Sequence, residues 1–92
     1  SIVKIKEKEY SAEDGRRLES ILATEPENIE EAISKFPVSA IGMGNVKLQA
    51  CISKDFQFAA VQLLSFQDFD YKPITDVCVY EGEAAKAIAR LL

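Results

Sequence analysis

The alternation of apolar and polar positions divides the chain into a strand, two helices, a strand-rich middle and a closing helix. Residues 2–10, Ile-Val-Lys-Ile-Lys-Glu-Lys-Glu-Tyr, carry charge at nearly every second place. That pattern predicts a strand with one wet face, and its lysines suit a sheet edge, where charge discourages pairing with a foreign strand. Ser11-Ala12-Glu13-Asp14 matches a capping box and predicts a helix start. Leu18, Ile21 and Leu22 then recur at helical spacing, while Gly15 in the first turn costs about 1 kcal/mol relative to Ala.

A second start signal is Thr24-Glu25-Pro26-Glu27, since Pro fits a first helical turn and acids favour the positive end of the helix. Ile29, Ala32, Ile33 and Phe36 fall on one face, and Pro37 stops the helix. The two helices form a hairpin joined near Ala23–Glu25 with its acids outward. Val38–Ile41 is a short apolar run that counts as an optional strand, and Gly42-Met43-Gly44-Asn45 reads as a turn.

Val46, Leu48, Ala50 and Ile52 alternate with Lys47, Gln49, Cys51 and Ser53, which is the strongest strand signal in the chain. Ser53-Lys54-Asp55 turns it back. Residues 56–66 carry apolar groups in both phases of an alternating pattern. A strand with a bulge near Ala59–Ala60, a strand buried on both faces, or a helix through Phe56, Ala59, Ala60 and Leu63 all fit; the hairpin spacing favours the strand. Gln67 to Pro73 reads as a polar-aromatic loop, Ile74 to Tyr80 as a strand, and Glu83 to Leu92 as a helix with Ala84, Ala87, Ile88 and Leu91 on one side. The expectation is a single α+β domain over residues 1–92. Its mostly antiparallel sheet has three to four strands in the order β-α-α-(β)-β-β-β-α, packed against two to three helices. Ile29, Ile33, Phe36, Leu48, Ile52, Val77, Val79, Ile88 and Leu91 are expected in the core.

Composition narrows the chemistry. The 92 residues contain no histidine, so the commonest general base, the commonest metal ligand and every Ser-His or Cys-His nucleophile pair are excluded. Two cysteines, Cys51 and Cys78, cannot complete a zinc site and are too few for a disulfide framework. Both read as reduced thiols, unbonded to each other, with the strand 56–66 between theirs; this suggests a cytoplasmic protein. Asp68, Asp70 and Asp76 lack the glycine and closing glutamate of a calcium loop, and Gly42-x-Gly44 precedes a strand rather than the helix a phosphate loop needs. The sequence thus calls for no catalytic residue, metal or cofactor, and leans away from an enzyme.

Charge bears on partners. The chain carries a net charge of −4, and its segment Glu9–Glu31 is more acidic than the whole. Lys4, Lys6 and Lys8 share one face of the first strand, but acids lie beside them, so neither nucleic acid nor membrane is expected as a partner. No stretch is long and apolar enough to span a bilayer. Five of the eight aromatic residues (Phe56, Phe58, Phe66, Phe69, Tyr71) lie within sixteen positions. If the helices cover one sheet face only, the other is an apolar patch of the kind that marks a contact site. The function expected is a non-catalytic binding or regulatory module acting through protein–protein contact and associating with itself, with Phe66, Phe69 and Tyr71 at the contact. The alternatives are an acidic decoy for a basic nucleic-acid-binding surface, a small pocket-type ligand binder, or a carboxylate-based enzyme.

Overall fold

A computed structural model describes residues 3–36 and 44–92. It is α+β, with three α-helices and an antiparallel sheet. In chain order, β1 (Val3–Tyr10) leads into α1 (Ala12–Leu22), a 3-10 turn over Pro26–Asn28, and α2 (Ile29–Ser34). Then follow β2 (Val46–Ser53), β3 (Phe58–Gln67), β4 (Asp70–Pro73), β5 (Cys78–Glu81) and α3 (Gly82–Ala89). The optional strand Val38–Ile41 and the first half of the turn Gly42–Asn45, Gly42 and Met43, lie outside the described residues.

The N-cap half of the expected capping box forms: the Ser11 hydroxyl accepts a hydrogen bond from the Asp14 N–H at 3.1 Å. Gly15 has a packing reason to sit in that first turn. A Cβ there would come within 2.6 Å of the Val46 side chain, so glycine lets α1 approach β2 closely.

The sheet runs β1-β2-β3, and the far side of β3 is shared. Its first half pairs with β5 (Val61↔Cys78, Ala59↔Tyr80) and its second half with β4 (Leu64↔Pro73, Phe66↔Tyr71). All pairings are antiparallel. The β2–β3 ladder runs without interruption from Val46↔Ser65 to Ile52↔Ala59, so β3 is a strand with no bulge at Ala59–Ala60.

Residues opposite one another in a ladder share a face. Tyr10, Val46, Leu48, Ala50, Ile52, Ala59, Val61, Leu63 and Tyr80 are all buried and all lie on one face. They form one core with Leu18, Ile21, Ile29, Ile33, Phe36, Ile88 and Leu91. All three helices therefore cover the same side of the sheet. Two tyrosines fasten them there. The Tyr10 hydroxyl donates to the Leu91 carbonyl beyond α3, and the Tyr80 hydroxyl donates to the Leu22 carbonyl at the end of α1, at 3.4 Å. The Leu22 carbonyl is one that α1 leaves without an internal partner, and the Leu91 carbonyl lies just past the cap of α3.

Four expectations need correction. Residues 67–73 are a tight hairpin with a strand, β4, rather than a loop. Gln67 opposes Asp70, and the two turn residues, Asp68 and Phe69, both have positive φ (51° and 66°), the geometry of a type I′ turn. The strand expected over Ile74–Tyr80 is confined to Cys78–Glu81. Past Pro73, which has no N–H to offer the ladder, the Thr75 hydroxyl takes the place of a backbone carbonyl and accepts from the Leu63 N–H at 3.1 Å. Val77 and Val79 are 57% and 55% exposed rather than buried, because pairing with Val61 and Ala59 turns Cys78 and Tyr80 inward instead. Finally, α3 spans Gly82–Ala89 rather than reaching Leu92.

Candidate functional site: the helix-free face of the sheet

The side chains that do not face the helices form the other surface of the sheet, and their order follows from the register. Ile5 opposes Cys51, Cys51 opposes Ala60, and Ala60 opposes Val79. This is one straight apolar row across β1, β2, β3 and β5. Its ends stand high: Ile5 is 72% exposed and Val79 is 55% exposed. Its middle, Cys51 and Ala60, is low because both side chains are small. A depression of about 100 Å³ lies there, bounded by Gln49, Cys51, Ala60, Gln62 and Val77. Val3 and Phe58 extend the apolar surface toward the β2–β3 turn, and both are exposed.

The other half of the face is polar and internally paired. The Glu7 carboxylate accepts from the Gln49 amide at 2.8 Å and meets Lys47 Nζ at 3.3 Å. These contacts, the Gln49 hydrogen bond first, hold the Glu7 carboxyl below its usual range. Lys47 Nζ lies 4.0 Å from the centroid of the Tyr71 ring, and the Tyr71 hydroxyl donates to Glu9 at 2.8 Å. That bond to a carboxylate, before desolvation, pushes the Tyr71 phenol above its ordinary value. Phe66 packs edge-on against Tyr71, with centroids 5.3 Å apart.

The three residues expected at a contact are thus placed in two groups. Phe66 and Tyr71 lie side by side on the helix-free face. Phe69 stands apart at the hairpin tip, 95% exposed. A bulky residue at positive φ pays strain of roughly 1–3 kcal/mol. Nothing in the fold compensates Phe69 for it, since the side chain is almost fully solvated. Phe56, at φ 59°, occupies a similar position in the β2–β3 turn, where Asp55 accepts from the Ser53 hydroxyl at 2.7 Å and from the Gln57 N–H at 3.1 Å. Ile5, Cys51 and Val79 were not expected as surface residues of a site. Period-two alternation was legible in their strands, but it does not say which phase meets the helices.

The remaining candidates are dispersed. Asp68 pairs with Lys72 at 3.3 Å, and Asp70 accepts from the N–H of Tyr71. Among the described residues no three His, Cys, Asp or Glu side chains converge on a point that could hold a metal. A cleft of about 610 Å³ between Glu9, Ser11, Phe66 and Tyr71 contains one carboxylate, Glu9, already bonded to Tyr71. The acids of the helical hairpin are exposed apart from the half-buried Asp14, which pairs with Arg17, and Glu30 and Glu31 form ion pairs with Arg90 and Lys35. Cys51 and Cys78 are both free thiols and lie on opposite faces of the sheet, with β3 between their strands. No helix among the described residues is long and apolar enough to cross a membrane.

No family model, curated protein or solved structure matches this chain.

Proposed function

We propose that the chain is a non-catalytic contact module that binds protein, its own second copy included, through the helix-free face of the sheet. The observation that carries this reading is the one-sided placement of the helices. It leaves Val3, Ile5, Phe58, Phe66, Val77 and Val79 exposed together on one surface or along its margin. Isolated exposed apolar residues are ordinary, but a contiguous patch rimmed by polar groups is characteristic of an interaction surface. Here the rim consists of Glu7, Glu9, Lys47 and Gln49, whose contacts with one another and with Tyr71 limit the desolvation cost when a partner approaches. Phe66 and Tyr71 extend the surface toward the hairpin, and Phe69 presents a ring beyond it. Aromatic rings give a large contact area for little lost rotamer freedom.

Light scattering on a size-exclusion column tests the reading. The expected mass at high concentration is twice the 10.2 kDa of the chain, falling toward one chain on dilution. A strict monomer at every concentration overturns the self-association.

A further inference from the structure

Resting on that self-association, we propose that the second copy packs face to face about a two-fold axis running along β3, so that Ala60 meets Ala60 of the other copy and Val79 enters the hollow over Cys51.

Pairing at the sheet edge is disfavoured by the charge pattern of β1. A two-fold pairing of this strand with itself sets residues of the same phase opposite each other. Lys4, Lys6 and Lys8 share one phase, the one opposite Ile52, Ala50 and Leu48. Every register that pairs most of the strand therefore places lysine against lysine, and the seven ion pairs among the described residues leave all three uncompensated. Like charges directly opposite are destabilising.

The face offers a better fit, and its relief selects the axis. The row Ile5–Cys51–Ala60–Val79 is high at both ends and low in the middle. An axis between β2 and β3 sets Ile5 on Val79 and the hollow on the hollow, leaving a void. An axis along β2 sets Lys47 on Lys47. An axis along β3 sets Val79 against Cys51, Lys47 against Pro73, and the helix-free residues of β3 against themselves. Those residues are Phe58, Ala60, Gln62, Leu64 and Phe66, and none is charged. The outer strand then falls outside the overlap, Glu7 and Glu9 together with Val3 and Ile5, so the ridge that fills the hollow is Val79 alone. This arrangement puts a ridge into a hollow and no charge on a like charge, which is what close packing and a net-negative chain require.

Short bismaleimide cross-linking reads the axis directly. In a Cys51→Ser, Cys78→Ser background, Ala60→Cys supplies one thiol on the axis, where facing sheets stand about 10 Å apart. Ile5→Cys supplies one two strands away, with its mate roughly 20 Å off to the side. The expected result is a covalent dimer from A60C and none from I5C, at concentrations where the wild type is dimeric. In the wild-type background, Ala60→Arg should return the mass to one chain, with the melting temperature that the wild type shows at dilutions where it is monomeric. Cross-linking through I5C but not A60C, or a dimer that survives Ala60→Arg, overturns the axis while leaving self-association standing. A wild type that never dimerises defeats the underlying reading instead.

Discussion

The Tyr71 hydroxyl donates a 2.8 Å hydrogen bond to the carboxylate of Glu9, joining β4 to β1 over the intervening strands. The bond lays the Tyr71 ring across the helix-free face, where it receives Lys47 Nζ and the edge of Phe66. One short strand at the far side of the sheet thus organises the polar half of the surface.

Tyr71→Phe removes that bond and keeps the ring. Because the site is exposed, the expected loss is a small downward shift of the denaturant midpoint. In the same variant, the crosspeaks of Lys47 should move, since the ring is freed from its anchor. Unchanged Lys47 shifts would show that the hydrogen bond does not hold the ring in place.

All three tyrosines titrate late. Burial, with Asp14 adding to it, pushes Tyr10 up to about 12, and burial with Cys78 pushes Tyr80 up to about 12. A folded-state value raised above the unfolded value of about 10 means that the unfolded chain releases its proton first. The stabilisation is complete below about pH 10 and is lost as pH rises from there to about 12. Ultraviolet titration of the native protein should show two of the three phenols, Tyr10 and Tyr80, ionising only toward pH 12, and Tm should fall steeply between about pH 10 and 12. Ionisation of all three phenols at pH 10 with the fold intact would contradict the burial of Tyr10 and Tyr80.

Neighbouring leucines on β3 report the phase of the sheet. Leu63 is fully buried, and Leu64 faces the helix-free side. Leu63→Ala should cost about 2–5 kcal/mol, the range for a core truncation. Leu64→Ala should cost clearly less when the two are compared by urea denaturation at a concentration where the chain is monomeric. Equal losses would mean that the helices do not all lie on one side.

Phe69→Gly separates strain from contact. Glycine accepts φ 66° freely, so relief of strain should raise monomer stability, by on the order of 1 kcal/mol. Phe69→Ala should weaken association by on the order of 1–3 kcal/mol while the fold persists. A large fall in Tm in either variant, with association unchanged, would make Phe69 a core residue and remove it from the contact.

Thiol labelling distinguishes the two faces. Both cysteines should react in the unreduced, denatured protein, and Cys51 should react faster than Cys78 in the native monomer, because Cys51 is exposed and Cys78 partly buried. Association about β3 should then slow Cys51 as concentration rises. Finding no free thiol after denaturation would imply a disulfide that this topology does not allow within one chain, since β3 separates the two strands.

Local patterns determined much of this protein. The capping box at Ser11, the helical spacing of Leu18, Ile21 and Leu22, the face of Ile29, Ile33 and Phe36, and the alternation of Val46–Ser53 each predict an element from a few residues, because backbone period and capping are short-range properties. Their consistency is enough to give the α+β class and the antiparallel middle. What the tertiary structure alone decided is which phase of each strand meets the helices. Val79 and Tyr80 are both good strand residues, and apolarity favours burying the valine. Instead Tyr80 turns inward, where it opposes the small Ala59 and its hydroxyl reaches the Leu22 carbonyl at the end of α1. That choice depends on partners 21 and 58 positions away in the chain. The same holds for the apolar row from Ile5 to Val79, four residues drawn from four strands, which exists only after the register of every ladder has been set.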